Sequence, residues 1–346
     1  MKRMLRILGL IAAVAATAWT GLWLYVARDV AARIGLWQRE QAAAGIALGW
    51  DELAVKGWPF GWRVILEKPH AAGAGPAQWR WSGDRLVANI DPRDLHKIAF
   101  RLPGQQLLRL GSGDLAVEAA LRAARSDGHL RFDDAGRVAA LSVEFEAAEL
   151  QVGAQPPWAT RQLTVALSPH RPQAPTHASD MLDFSVRVEA LRLPAPVDML
   201  AALGRDIKLG EIAGRLAGPV RGATLAQALA VWRDAGGAVE ISSARLEWGA
   251  LRLTGDATLA LDTLNRPLGA GVARIAGAGE TLDALAQSGA IDARNAAMLK
   301  IALTFLARND PANGGASSVQ IPIAAQDGVL SVHRFALLRL APLGLE

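Results

Sequence analysis

The chain has 346 residues, 37 lysines and arginines against 33 aspartates and glutamates, 51% hydrophobic residues and no cysteine. That length allows one large domain or two ordinary ones, and the apolar content excludes a disordered chain that buries too little surface to order itself. Without cysteine there is no thiol nucleophile, no cysteine-ligated metal and no disulfide framework. Residues 1–27 hold Lys2, Arg3 and Arg6 and no acid, so residues 28–346 carry 34 cations against 33 acids. The isoelectric point near 9.8 then reflects a small excess of arginine rather than a basic patch, and no run of four Lys or Arg occurs. This balance argues against a nucleic-acid partner.

The first element in chain order is the segment 7–27, 21 residues without a charge, ended by Arg28-Asp29. At about 1.5 Å per residue a helix of that length spans about 30 Å, the thickness of a bilayer's hydrocarbon core. Trp19, Trp23 and Tyr25 stand toward its far end, where amphipathic rings settle at a membrane interface. The preceding positive charge predicts a single pass with a cytoplasmic amino terminus and an exported body. In a bacterium this means the inner membrane, with the body in the periplasm. The alternative is a cleaved signal peptide, because Ala16-Thr17-Ala18 has the small-x-small form of a cleavage site. Apolar character continues to Val26, which favours a retained anchor over residues 1–27. Residues 28–45 then read as a juxtamembrane helix, with Val30, Ile34 and Trp37 on one face and Gly45 as terminator.

From Ile46 to the end, residues 46–346, the texture is of short alternating runs cut by Gly, Pro, Asn and Asp. Runs at 62–66, 78–81, 114–117, 138–152, 161–167 and 182–193 predict strands. Val143, Phe145 and Ala147 alternate with Glu144 and Glu146, the period of a sheet with one buried face. No strand, glycine-rich loop and helix follow one another, which argues against a nucleotide-binding fold. Segment 169–180, with its prolines and two histidines, predicts a long surface hairpin or a junction between two halves of the body. Helices are predicted over 224–235, with Thr224 and Gln227 as a capping box, and within 284–306. Strands are predicted at 239–248, 251–261 and 271–276, and a hairpin at 319–340 turns at Gln326-Asp327-Gly328.

Several short motifs occur in a definite order. Gly57-Trp58-Pro59-Phe60 follows the N-terminal segment, then a Trp-bearing strand at Trp79. Later come Trp232-Arg-Asp-Ala-Gly-Gly, Leu246-Glu-Trp-Gly-Ala-Leu-Arg-Leu-Thr-Gly, Leu259-Ala-Leu-Asp, Pro267-Leu-Gly, Ile321-Pro-Ile and Asp327-Gly-Val-Leu. This order resembles the bacterial family known as domain of unknown function 2125, over nearly the whole chain after the N-terminal segment. The resemblance implies a membrane-tethered, exported, β-rich protein with no established activity or catalytic residues. The strand–Gly–strand texture of residues 248–259 is similar in style to AsmA-like envelope proteins. That likeness implies curved sheets with an apolar inner face and an association with phospholipid handling.

Catalytic signatures are absent from the sequence. The six histidines, at 70, 96, 129, 170, 177 and 333, form no i, i+4 pair and no His-Glu-x-x-His, so no metal site or cofactor is expected. There is no Gly-x-Ser-x-Gly elbow and no loop of alternating acids for a cation. Asp133-Asp134-Ala135-Gly136 has the composition of a turn. The protein is therefore read as a non-enzyme, with a dispersed catalytic site as the minor alternative.

One cluster invites a sharper reading. Gly57-Trp58-Pro59-Phe60-Gly61-Trp62 either forms an aromatic lip where a lipid tail enters or is a turn whose rings cover one end of the core. Trp79 and Trp81 project to one side of their strand. Trp58, Phe60, Trp62, Trp79 and Trp81 are thus the candidate groove residues. The expected architecture is mainly β, a curved antiparallel sheet with a few packing helices behind one N-terminal transmembrane helix. The expected function is binding or transfer of membrane phospholipid. The alternative is a non-catalytic envelope scaffold that binds a protein partner through sheet edges.

Overall fold

The computed structural model describes residues 2–43, 45–73, 78–111, 116–170, 181–195, 202–220, 225–306, 308–309, 317–332 and 335–343. A single helix, α1 (Lys2–Ala43), runs through the N-terminal segment and the juxtamembrane residues without a break. Gly45, at φ 83°, turns the chain back into β1 (Ile46–Gly49) and β2 (Glu52–Lys56). The second part of α1 lies along these two strands: Gln38 Nε2 donates to the Leu48 carbonyl at 2.7 Å and Trp23 Nε1 to the Gly61 carbonyl at 2.8 Å. The helix thereby covers the first edge of the sheet, where unpaired backbone groups otherwise invite aggregation.

The remaining described residues form mainly one antiparallel sheet with a few helices at its ends. Strands β3 (Trp62–Glu67) and β4 (His70–Gly73), β5 (Trp79–Gly83) and β6 (Arg85–Asp91), and β7 (Asp94–Arg101) and β8 (Gln105–Leu110) are halves of long ribbons, as are β1 and β2. Both halves of the last ribbon pair with one strand, β9 (Val117–Phe132). From there the chain meanders strand to neighbouring strand. It passes through β10 (Val138–Val152), β11 (Trp158–His170), β12 (Met181–Arg192), β13 (Asp206–Ala217), β14 (Ala238–Trp248), β15 (Leu251–Leu261) and β16 (Pro267–Ala276). β16 pairs with β18 (Ser317–Gln326), which also takes the two-residue β17 (Arg308–Asn309) and β19 (Val329–Val332). β20 (Phe335–Arg339) closes the order on β19, and the sheet curves without closing on itself. β11 and β12 pair from His170↔Met181 onward; segment 171–180 between them lies outside the described residues.

Among the described residues three further helices sit at the sheet's two ends. Helix α2 (Leu225–Asp234) follows β13 and is held by the buried Trp232, whose Nε1 donates to the Ala217 carbonyl at 2.8 Å. Its proposed cap Thr224 lies outside the described residues. At the opposite end, α3 (Ala278–Gln287) and α4 (Ala293–Leu306) form a helical hairpin beside β15 and β18. The sequence pattern predicts only one helix there; Gly289, at φ 75°, ends the first of two. A small core of Leu193, Leu203 and Trp248 lies at this same end.

Cross-strand pairing places partners on the same face, so the faces can be followed strand by strand. One row runs Val55, Val64, Ala88 and Phe100, then Gly128, Val143, Val165, Val186 and Ile212, then Ala244, Gly255, Ala273 and Ile321. Every member is apolar. At about 4.8 Å per strand the row extends for roughly 60 Å along the curve. The row on the other face runs Asp127, Glu144, Thr164, Arg187, Glu211, Arg245, Thr254, Arg274 and Gln320. Every member of that row is polar. Most of the apolar row is only half-buried, and among the described residues no large side chain is fully buried.

A crease crosses the strands about midway. It passes through the ribbon breaks at 50–51, 68–69, 84 and 102–104 and continues through Ala147 of β10 and Ala190 of β12. Lys68, Ala147 and Ala190 all have left-handed backbones, at φ 49°, 48° and 53°. One such residue shifts the alternation by one. In β10 the apolar positions are odd through Phe145 and even from Ala148, and both of these residues are buried. Backbone groups that lose their ladder partners at the crease are met by side chains, as buried polar groups require. Ser126 Oγ accepts from the Leu102 amide at 2.7 Å, and Thr160 Oγ1 donates to the Glu189 carbonyl at 2.7 Å. Asp84 Oδ2 accepts from the Gln105 amide at 2.8 Å. The hydrogen bond from Lys68, then that from Gln105, holds the Asp84 carboxyl below its ordinary pKa.

Candidate functional site

The aromatic cluster forms the turn between β2 and β3. Gly57 adopts φ 111°, and its carbonyl accepts the amides of Phe60 at 3.1 Å and Gly61 at 3.3 Å. A Cβ at Gly57 would lie 2.8 Å from the Gly61 carbonyl, so the tight turn needs glycine there. Trp58 is 55% exposed and Phe60 89% exposed, which is unusual for rings this large. Trp62 instead enters the apolar face two residues before the buried Val64, and its Nε1 reaches the Trp23 carbonyl at 3.5 Å. Helix α1 grips the turn from behind: Trp19 Nε1 donates to the Pro59 carbonyl at 2.8 Å, alongside the bond from Trp23 to Gly61. The part of α1 before Trp19 therefore runs on beyond the exposed Trp58 and Phe60.

Trp79 and Trp81 do not join this group. They lie on β5, beyond the crease and toward the opposite end, where Trp79 pairs with Gly73 and Leu110, and Trp81 with Ala71 and Leu108. The Trp79 ring occupies the space above Gly73, where a Cβ would fall 2.2 Å from its Nε1. The structure brings together three of the five aromatic candidates and separates the other two.

Two concavities bracket the apolar face and the turn. One is an apolar trough of about 200 Å³ on β14–β19, walled by Ile241, Leu253, Leu259, Ile323 and Leu330 and floored by Gly255, Gly269 and Gly271. The second is a cleft of about 540 Å³ beside the aromatic turn, with Phe60 and Trp62 at one side and Arg63, Asn89, Asp91, Asp94 and Lys97 around it. Neither position announces itself in the sequence, because each is assembled from several strands.

The polar face is laced with ion pairs. Arg101 meets Asp127 at 2.9 Å, Arg187 meets Glu211 at 3.1 Å, and Arg215 meets Asp183 at 2.8 Å. Burial alone would raise the Asp183 pKa; hydrogen bonds from Arg215 and His170 outweigh it and hold the carboxyl below its usual range. The segment Asp133–Gly136 is the β9–β10 turn, with Asp133 Oδ1 accepting the Ala135 amide at 3.0 Å. Among the described residues no group of three or more His, Asp or Glu is arranged to hold a metal ion. Among them, too, no helix is long and apolar enough to cross a membrane. The side chains of residues 7–9, 11–12 and 15–16, in the most apolar part of α1, lie outside that description.

A mainly antiparallel, unclosed sheet with one apolar and one charged face, edged by a long N-terminal helix, defines the class of protein. A family model described as "Uncharacterized protein conserved in bacteria (DUF2125)" matches residues 23–342, and the chain belongs to that family. The match begins at Trp23, which donates to the Gly61 carbonyl. No curated protein and no solved structure matches the chain.

Proposed function

We propose that this protein is tethered in the bacterial inner membrane, with a cytoplasmic amino terminus and a periplasmic body, and holds phospholipid acyl chains on the apolar face of its sheet. The carrying observation is the unbroken apolar row from Val55 to Ile321, half-exposed along most of its length. A globular β-protein covers such a face with a second layer; here α1 lies along the first edge, by β1, β2 and Trp62, and the other described helices pack at the sheet's two ends. The placement of α1 supports access to lipid. If α1 crosses the bilayer over residues 7–27, the turn that Trp19 and Trp23 hold, with Trp58 and Phe60, lies at the interface, where aromatic rings are favoured. Trp62 then begins the apolar face directly behind them. Each methylene removed from water contributes about 0.8 kcal/mol, so ten carbons supply roughly 8 kcal/mol before ordering costs. The style-level likeness to AsmA-like envelope proteins points the same way. A second reading, a non-catalytic scaffold for another envelope protein, draws on β20, which pairs only with β19 among the described strands.

Native mass spectrometry of the full chain, extracted in mild detergent, tests the lipid reading. Wild type is expected to retain phospholipid, and Val186→Asp, in the middle of the apolar row, to lose it while keeping its circular dichroism spectrum. Wild type without bound lipid, or equal retention in the variant, sinks the acyl-chain reading and moves the weight to the scaffold.

A further inference from the structure

Ion pairs lace much of the polar face, and at one corner two cation–cation pairs come together. Beside the aromatic turn, Lys56 of β2 stands directly opposite Arg63 of β3, and Lys97 of β7 directly opposite Arg131 of β9. Like charges facing each other across an antiparallel pair are destabilising. At many other places on this face neighbouring strands supply the opposite charge, as in Arg85–Glu67, Arg101–Asp127 and Arg274–Asp256, while Arg80 opposite Arg109 is a single cation–cation pair away from the aromatic turn. None of the four corner cations makes an ion pair among the described residues; Arg63 donates only to the neutral Asn89 Oδ1, at 3.0 Å. Arg63 and Lys97 both line the cleft of about 540 Å³ whose rim is the exposed Phe60. Nearby, in the row of Arg63, Asn89 and Ala99, His129 has its Nδ1 buried without a partner. The cleft also holds two acids, Asp91 and Asp94, which face each other across β6 and β7 and accept the Arg93 amide at 2.9 Å and the His96 amide at 3.2 Å. Lys56 and Arg131 leave the corner with more cations than acids.

We infer that this corner is a binding site for the phosphate of an anionic phospholipid headgroup, on the face opposite the acyl-chain surface. Four cations from four strands outnumber the two acids of the cleft, and a phosphate between the two like-charged pairs neutralises repulsion the fold itself leaves standing. The exposed Trp58 and Phe60 beside it supply the apolar contact that a headgroup in a bilayer surface brings with it and a free ion does not. The site would hold the body against the membrane with its apolar face presented sideways. This inference rests on the proposed proximity of the aromatic turn to a bilayer, and not on the occupancy of the apolar face.

The test uses the full chain in nanodiscs of phosphatidylcholine alone and of phosphatidylcholine mixed with phosphatidylglycerol, read by hydrogen exchange over residues 56–63 and 89–97. Anionic discs are expected to slow exchange there, each engaged cation being worth roughly a fivefold factor. Lys97→Gln/Arg131→Gln should lose that difference, and, since the pair repels, should fold at least as stably as wild type. Equal exchange in the two discs, or a difference undiminished in the variant, overturns the site. Inorganic phosphate added to the phosphatidylcholine discs should change nothing; slowing by the ion alone overturns the lipid as occupant. Lipid retained in native mass spectra of the same variant reports on the acyl-chain reading alone, so the two ideas fail separately.

Discussion

β10 and β15 belong to the same curved sheet and bend by different means. β10 bends at one point, the left-handed Ala147, where its apolar alternation changes phase between Phe145 and Ala148. β15 keeps one phase from Leu251 to Leu261 and has Gly255 in its middle, facing Ala273 of β16. In β16 the glycines recur at 269 and 271, where backbones approach so closely that an added Cβ would meet a neighbouring carbonyl at 2.2 and 2.6 Å. The first device concentrates the bend in a crease whose lost backbone bonds are repaired by buried hydroxyls. The second spreads the bend and leaves a trough in the apolar face. The crease thus specifies the shape of the sheet, and the glycines provide room on it.

Exchanging the two devices breaks the comparison most sharply. Gly269→Ala puts a Cβ 2.2 Å from the Thr258 carbonyl and 3.0 Å from Leu259 side-chain and backbone atoms. Backbone cannot rotate away as a side chain does, so a loss of about 2–3 kcal/mol is expected, read as a lowered denaturant midpoint. A variant as stable as wild type would mean that the trough's floor is not tightly set. At the crease, Thr160→Val keeps the volume and removes the hydroxyl that donates to the Glu189 carbonyl. Leaving that carbonyl unsatisfied in a buried place should cost about 1–2 kcal/mol. A change within about 0.5 kcal/mol, the usual range for neutral surface substitutions, would remove the hydroxyl from the account of the crease.

The same two devices explain what was legible in the sequence. β10 and β15 are predicted with the ends they have, because each carries at least seven residues of clean alternation. β13 escapes prediction: Ile207 and Leu209 alternate in one phase and Ile212 and Leu216 in the other, with Gly210 and Gly214 among them, so no run of period two is long enough to read. β9 is signalled only at its first residue, because its charges shift parity across the crease, from Glu118 and Arg122 to Arg125 and Asp127. The aromatic turn is legible because its residues are contiguous. Trp79 and Trp81 stand beside it as candidate groove residues in the sequence, and the pairing of β5 with β4 and β8 places them away from the turn. The charge arithmetic indicated no basic patch, and as a global statement it holds; the local cluster arises because Lys56, Arg63, Lys97 and Arg131 come from four different strands. No linear run of charge records such a meeting.

The smallest expected effect carries the finest test of the comparison. Ala147 sits at φ 48° and is exposed, so its methyl group contributes little packing. A left-handed conformation costs an ordinary L-residue about 1–2 kcal/mol relative to a right-handed one. Glycine avoids that cost but loses about 0.5–1 kcal/mol more conformational entropy on folding. Ala147→Gly should therefore stabilise the protein by roughly 0.5 kcal/mol, the opposite sign from the reverse exchange at Gly269. Measuring both variants by denaturant unfolding under one condition removes any common effect of detergent or of the N-terminal helix. A fall in stability at position 147 would mean that the Cβ there, and not the backbone alone, sets the angle of the crease. The bend would then be a packing feature like the trough, and the distinction between the two halves of the sheet would collapse.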